Sequence, residues 1–304
     1  DFDKFNLHRE FFSLPIERIE DEKIRDLYEE IIYFYSGLIQ SIETIGSGKK
    51  FYYNSLHSFG TPTEKDVENA KFILHFDADY DAEHFKPKFS PKETETIFRE
   101  YSGRYDFTYN IKYSSTMGAI AMVLNNTKTL VLNNKHTFSK NEIGILTNHE
   151  IGVHMVTTMN GLLHPLKIFS HGFPNNVETQ EGLAVFSEYM SGNLTIKRLR
   201  ELAYRVIAVN REDAFHITVR AHRGGGFTKD YLYLSGLKKV IDYYESGKDL
   251  GLLLTGKVSL EHIDTIEYLI DKGLAVKPKH FTDSFQENKN TNKTVDFILK
   301  SLIS

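Results

Sequence analysis

The stretch HEIGVH, residues 149–154, decides how the rest of the sequence is interpreted. It has one residue more than the H-E-x-x-H motif, in which histidines four positions apart lie on one helical face and bind zinc. At about 100° per residue, His149 and His154 would point about 140° apart on an undistorted α-helix. The spacing leaves two interpretations open: a metal site on a distorted helix, or two unrelated histidines beside a glutamate.

Gly152 lies between the two histidines and favours distortion. Glycine weakens a helix by about 1 kcal/mol relative to alanine. An insertion of the π-helical type would absorb the extra residue and bring both imidazoles to one side, and such insertions concentrate at functional sites. If the histidines share a metal ion, the helix must depart from α geometry between them.

The helix that carries HEIGVH follows a β-rich region. Residues 107–133 contain the runs FTYNIKY, GAIAMVLN and KTLVLN, separated by turn-forming residues. This pattern predicts a small antiparallel sheet. Ser139 with Glu142 three positions later forms a capping box, which predicts the start of the next helix, and Gly161 is a suitable end for it.

Helical patterns dominate the remaining sequence. Amphipathic periodicity predicts helices over about 20–45, 177–191, 196–210, 230–246 and 259–272, whereas residues 46–60 are predicted to form a loop. The predicted fold class is α+β, mainly helical with a small antiparallel sheet before the HEIGVH helix. We predict a single domain over residues 1–304, with an N-terminal helical part (1–104), the sheet and metal-binding helices (105–246) and a C-terminal helical part (247–304).

Composition argues against several classes of protein. The 304 residues carry a net charge of −4, so no strong basic field favours nucleic acid. No apolar run approaches the 18 residues that suggest a membrane helix. Cysteine is absent, which removes disulfides and thiolate metal ligands and fits a reducing compartment. We therefore predict a cytoplasmic protein without nucleic-acid or membrane partners; the oligomeric state is not predicted.

A second stretch, NNVETQEGLAVFSEYMSG at 175–192, supplies a candidate third metal ligand. Its helical pattern places Glu181 and Glu188 on roughly one stripe. Catalytic zinc generally takes three protein ligands and leaves one position for water. Glu181, beside the small Gly182, could approach the histidine helix closely. The alternative is that Glu178, Glu181 and Glu188 form a solvated acidic face.

Three motifs together resemble a known family. LTNHEIGVH, GFPNNVETQEGLAVFSEYMSG and RGGGFTKDYLYLSGL are similar to motifs of the bacterial QEGLA-motif family (flavohaemoglobin expression-modulating QEGLA motif proteins). That family is related to the microtubule-associated tyrosine carboxypeptidases, zinc metallopeptidases with an H-E-x-x-x-H motif. The resemblance covers roughly residues 50–275. It implies that His149, His154 and Glu181 bind Zn²⁺, with Glu150 as the catalytic base, in a zincin-like fold.

The implied reaction is the removal of an aromatic or acidic C-terminal residue from a peptide or protein. Zinc lowers the pKa of a bound water toward about 7, and Glu150 would take the proton of this water and deliver it to the leaving amine. Tubulin tyrosine is not assumed as the substrate, because the sequence shows no long basic extension suited to an acidic microtubule surface.

A carboxypeptidase also needs a cation for the free carboxylate of its substrate, and arginine suits this role because its planar fork can hold both oxygens. The candidates lie around the Gly224-Gly225-Gly226 turn. We favour Arg223 and Lys229 over Arg220, with Tyr233 as a donor to the oxyanion or to the carboxylate. The alternative is a surface turn with solvated charges.

Two other functions remain open. The chain could be a regulatory or binding protein that retains the metallopeptidase fold without turnover. It could also contain a closed structural metal site, although three ligands and no cysteine favour a catalytic site. The remaining histidines of the region are interpreted as packing or surface residues, namely His164, His171, His216 and His222.

Overall fold

The computed structural model describes residues 3–78, 82–207 and 229–304. Helices dominate these ranges, and none of them is long and apolar enough to cross a membrane. The α-helices are α1 (Lys4–Phe12), α2 (Glu22–Glu43), α3 (Lys49–Phe59), α4 (Glu64–Leu74), α5 (Ala82–Phe85), α6 (Pro91–Ser102), α7 (Lys140–Leu146), α8 (Val156–Gly161), α9 (Ile168–His171), α10 (Asn176–Met190), α11 (Ile196–Ile207), α12 (Leu232–Glu245), α13 (Leu250–Leu253), α14 (Ile263–Asp271) and α15 (Lys293–Ser301).

The described residues are mainly helical with a small sheet, as an α+β class predicts, but the pairing within the sheet differs from the prediction. Its strands are β1 (Asn110–Ser114), β2 (Ala121–Leu124) and β3 (Thr129–Asn133), in the order β1–β3–β2. β2 pairs antiparallel with β3, but β1 pairs parallel with β3. The prediction of an antiparallel sheet is therefore wrong for one pair. Parallel strands need a crossover of about a dozen residues or more, and residues 115–128 supply it by forming β2 on the far side of β3.

A helix occupies the segment 46–60, where a loop is predicted. α3 packs on α2 and buries Phe51 and Ser55. Gly48 precedes α3 and Gly60 follows it, with φ angles of 62° and 68°. These left-handed conformations suit glycine and confine the helix between them. Packing against α2 outweighs the weak helix propensity of the aromatic and polar residues in this segment.

The histidine-bearing segment departs from α geometry, as its spacing predicts. The capping box of Ser139 and Glu142 is present and begins α7. A π-helix, Thr147–Met155, continues α7 and leads into α8. It therefore spans the whole of HEIGVH. Residues five positions apart can share a face there, because each π-helical hydrogen bond joins residue i to residue i+5.

The π-helix lies between two hydrophobic clusters. Ile151 and Met155 belong to the smaller cluster, together with Leu130 and Leu132 of β3. Val153 belongs to the larger cluster, which the helices form. Close packing on both sides leaves its side chains little freedom. The fold therefore holds the two histidines on a rigid element.

Candidate metal centre

The structure brings His149, His154 and Glu181 together. The Nε2 atoms of His149 and His154 each lie 3.5 Å from Oε2 of Glu181. The two imidazole centroids are 4.9 Å apart, and all three side chains are buried or half-buried. The π-helix supplies both histidines and α10 supplies the glutamate. This is the ligand set that the sequence resemblance implies, and it could hold a metal ion.

The donor set fits zinc on two observations. Atoms bound to one tetrahedral zinc at about 2.0–2.1 Å lie roughly 3.3 Å from one another, close to the 3.5 Å between Glu181 Oε2 and each Nε2 atom. In addition, Glu181 Oε2 is buried and accepts no hydrogen bond from the described part of the chain. A buried oxygen that accepts no hydrogen bond costs about 1–3 kcal/mol. The histidine Nε2 atoms at 3.5 Å offset part of this cost when they are protonated, and a bound cation would take over that role.

Two glycines bring α10 to this position. A Cβ atom on Gly182 would lie 2.3 Å from the carbonyl carbon and oxygen of Gly236 in α12, and a Cβ atom on Gly236 would lie 2.1 Å from the carbonyl oxygen of Glu178. Only hydrogen fits at both places. α10 is also bonded to the π-helix, since Ser187 Oγ donates to the carbonyl of Asn148 at 3.0 Å. The glycine of the QEGLA sequence therefore permits the close approach that places Glu181.

Glu188 holds the second nitrogen of His149. Its Oε1 lies 2.8 Å from Nδ1 of His149, and the side chain is fully buried. Arg198 in α11 donates to both oxygens of Glu188, at 3.1 and 3.3 Å. A carboxylate on the far nitrogen of a metal-binding histidine fixes its ring and raises its basicity. In the sequence, Glu188 follows Glu181 by seven residues and lies on the same helical stripe. The sequence does not indicate that Glu188 bonds His149.

Charges around the centre shift the pKa values of its members. Burial acts to lower the pKa of His149, but the carboxylates of Glu181 and Glu188 outweigh it and raise this pKa to about 9. Burial acts to raise the pKa of Glu181, yet Lys229 and the two histidines hold it well below its usual range. Glu181 is therefore a carboxylate, as a metal ligand must be.

Two distant segments bond to the π-helix from outside. Thr282 Oγ1 donates to the carbonyl of Gly152 at 2.7 Å, and Lys257 Nζ donates to the carbonyl of His154 at 2.8 Å. Lys257 is 4% exposed, and burial lowers its pKa to about 7. Its ammonium also donates to Thr157 at 2.9 Å. The carbonyls on either side of Val153 are thus fixed by side chains that the sequence does not single out.

Glu150, the candidate catalytic base, lies in the same π-helix and is 8% exposed. Its negative charge reaches the centre. Burial lowers the pKa of Lys257, and the charges of Glu181 and Glu150 offset part of that lowering. Glu150 is therefore close to the ligands without being one of the three residues that converge.

Two of the three candidate substrate-binding residues, Lys229 and Tyr233, lie beside the candidate metal centre. Lys229 Nζ lies 3.1 Å from Oε1 of Glu181, and the ring of Tyr233 stacks on His149 with centroids 6.2 Å apart. Both therefore border the metal centre. Arg223 lies outside the described residues, as do Arg220, His216 and His222.

His164 and His171 contact residues other than the three candidate metal ligands. His164 is buried, stacks on Phe169 with centroids 3.8 Å apart and bonds the carbonyl of Thr255 at 2.7 Å. His171 is exposed and contacts the carbonyl of Lys167 at 2.9 Å. Both therefore have the packing and surface roles that the sequence predicts.

The chain is similar to one known protein family along most of its length. A family model described as microtubule-associated tyrosine carboxypeptidase matches residues 1–212 and 209–302 of the chain. The match confirms the relationship that the HEIGVH, QEGLA and FTKD motifs indicate. A comparison with curated proteins yields no match.

Proposed function

This chain belongs to the microtubule-associated tyrosine carboxypeptidase family, and from that premise we propose that it is a zinc-dependent carboxypeptidase. The observation that carries the proposal is the convergence of His149 Nε2, His154 Nε2 and Glu181 Oε2 in a buried cluster. The proposed reaction is hydrolysis of the last peptide bond of a peptide or protein.

His149, His154 and Glu181 would hold the zinc ion. Zinc, when bound, supplies a Lewis acid that polarises the substrate carbonyl and lowers the pKa of a water. The chain prepares the ligands for it: Glu188 orients His149 through Nδ1, and the π-helix keeps both Nε2 atoms on the side of Glu181. Three protein ligands leave one position open, which is typical of catalytic sites.

Glu150 is the proposed general base and general acid. Its carboxylate would accept the proton of the attacking water and pass it to the nitrogen of the leaving residue. Its place between the two histidines of the π-helix puts it beside the ligands. Tyr233 supports the same step: burial raises the pKa of its hydroxyl, which keeps its proton and can donate to the developing oxyanion.

A zincin-like arrangement is part of the proposal. β2 is an edge strand that packs against the π-helix, and its outer side carries the exposed Met122 and Leu124. An extended peptide can add to such an edge through main-chain hydrogen bonds. The strand would present the last peptide bond of the substrate to Glu150.

The proposed substrate class is a peptide whose C-terminal residue is aromatic or acidic. Arg223 and Lys229 are proposed to make the surroundings of the terminal carboxylate positive, with Tyr233 as a hydrogen-bond donor. Lys229 would do so while paired with Glu181. Tubulin, which the family description implies, is one candidate, and peptides that differ only in their last residue would define the preference.

The decisive experiment compares wild-type protein with Glu150→Gln. Metal content is measured by elemental analysis, and cleavage of C-terminally varied peptides by mass spectrometry. We expect about one zinc per chain in both proteins and loss of cleavage only in Glu150→Gln. Glu267→Gln, an exposed change in α14, is the matched control and should cleave normally.

Each other outcome changes a different part of the proposal. Failure to bind zinc would remove the metal chemistry, and cleavage that survives in Glu150→Gln would remove Glu150 as the base. Cleavage at internal bonds would retain a peptidase but not a carboxypeptidase. Zinc binding without turnover of any peptide would favour a binding protein that retains the fold.

A further inference from the structure

We propose that Arg205 binds the terminal carboxylate of the substrate and so makes the site select chain ends. This inference rests on the proposed function and adds the residue that sets its specificity. The starting observation is a stack of three side chains, Arg205, Tyr233 and His149, that leads from a partly exposed cation to a metal ligand.

The stack has a geometry suited to a short substrate segment. The guanidinium carbon of Arg205 lies 5.2 Å from the centroid of the Tyr233 ring, which in turn lies 6.2 Å from the His149 ring at an interplanar angle of 20°. In an extended chain the terminal carboxylate lies about one residue, about 3.5 Å, beyond the scissile carbonyl. The separations of 5.2 and 6.2 Å limit the distance from Arg205 to the His149 ring, and a metal-bound carbonyl, one residue of chain and a carboxylate–guanidinium contact together can span such a gap.

Other cations around the centre are already engaged. Arg198 is committed to the buried Glu188. Lys229 Nζ lies 3.1 Å from Glu181. A carboxylate that recruited either cation would have to compete with a buried ion pair, which is costly to break.

Lys257 is a third cation of this region, but it is almost fully buried and donates to the carbonyl of His154.

Arg205 differs from Arg198, Lys229 and Lys257. Within residues 3–78, 82–207 and 229–304 it makes neither an ion pair nor a hydrogen bond, and its contact is with the ring of Tyr233. Its charge is thus available to an incoming anion.

The contact with Tyr233 also prepares Arg205 for binding. A guanidinium over an aromatic face is attracted to the ring and loses part of its freedom before the ligand arrives. Its donors remain at the edge of the plane, where a carboxylate can accept two of them. Lysine at this position would keep the charge but could not form a bidentate contact with the carboxylate.

The experiment uses two peptides that share one sequence, end in phenylalanine and differ only in a free carboxylate or an amide at the C-terminus. Binding is measured by fluorescence anisotropy on zinc-loaded Glu150→Gln protein, and kcat and KM on protein with Glu150 intact. Arg205→Gln, Arg205→Lys and the control Lys197→Gln, an exposed cation on the same helix, are compared. Metal content and thermal unfolding are recorded for each.

We expect Arg205→Gln to weaken binding of the acid about 10- to 100-fold and to leave binding of the amide unchanged, so that the acid-to-amide ratio approaches one. Arg205→Lys should retain an intermediate ratio, and Lys197→Gln the full ratio. In turnover, the loss should appear mainly in KM.

An acid-to-amide ratio that stays at its original value in a folded, zinc-containing Arg205 variant would overturn the inference. If Arg205→Gln does not fold, an unchanged ratio in Arg205→Lys has the same meaning. Failure of the proposed function is separate: it would appear as absence of cleavage with Glu150 intact, while binding to the Glu150→Gln protein still reports on Arg205.

Discussion

Gly182 in α10 and Gly236 in α12 are in backbone contact, and this contact sets the distance between α10 and α12. The carbonyl carbon and oxygen of Gly236 both lie 2.3 Å from the place that a Cβ atom on Gly182 would take. Glu181 is the neighbour of Gly182, and Tyr233 lies one turn before Gly236. Helix packing and the metal centre are therefore governed by the same contact.

Gly182→Ala should force the two helices apart. Overpacking of this kind costs about 1–3 kcal/mol, and the shift should also move Glu181 and weaken zinc binding. Urea denaturation and competition with a zinc chelator measure the two effects. Gly37→Ala in α2 is the matched control: its Cβ atom would meet His57 at an ordinary 3.7 Å, so we expect equal or higher stability. Equal behaviour of the two variants would refute the role of this contact.

Glu188→Gln should lower the affinity for zinc about 10- to 100-fold, because it removes the negative charge behind His149. It also leaves Arg198 without its buried anion, so the free energy of unfolding should fall by about 3 kcal/mol or more. Chelator competition and urea denaturation test both expectations. Glu178→Gln changes the same helix at a glutamate that pairs with Lys239, and its zinc affinity should match wild type.

Lys257→Met should separate metal affinity from stability. Burial of an ammonium is unfavourable, and the charges of Glu181 and Glu150 offset only part of this cost, so the metal-free variant should be at least as stable as wild type. The carbonyl of His154 loses a donor, and the looser π-helix should bind zinc about 10-fold more weakly, a loss of about 1.4 kcal/mol. Lys239→Met, at an exposed lysine, is the control. A large loss of stability with normal zinc affinity would contradict this account.

Zinc binding should release at least one proton near pH 7.5, one from His149 and a further fraction from the zinc-bound water. The pKa of His149 is raised to about 9 in the metal-free protein, so the ring is protonated at this pH and must become neutral to bind metal. The contribution of His149 alone should therefore raise the apparent affinity about tenfold per pH unit from pH 6.5 and level off near pH 9. Calorimetry in two buffers of different ionisation enthalpy counts the protons. No release at pH 7.5 would show that His149 is neutral before binding.

Local features of the sequence, together with the family resemblance, predict that His149, His154 and Glu181 converge. The spacing of His149 and His154, with Gly152 between them, indicates the π-helix, and the capping box of Ser139 locates its approach. The number of ligands that a catalytic zinc takes makes Glu181 a candidate, and the family resemblance selects it over a solvated acidic face. Each of these inferences depends on residues close together in the chain or on a resemblance to a family.

Long-range contacts were beyond such reasoning. Lys257 bonds the carbonyl of His154 across 103 positions, and nothing in its local sequence indicates burial. The parallel pairing of β1 with β3 depends on which side of β3 the strand β2 takes, which strand periodicity does not encode. α3 forms because it packs on α2 and buries Phe51, an example of tertiary packing that overrides propensity.

The bond from Thr282 to the carbonyl of Gly152 joins residues 130 positions apart, which has a consequence for the order of folding. Contacts of high sequence separation form late, because the loop that they close costs entropy before the contact stabilises it. The π-helix would therefore reach its final geometry only after the C-terminal part of the chain has docked. We expect zinc uptake to follow the docking of the segment around Thr282, so that a growing chain would not form the complete site before this residue has been synthesised.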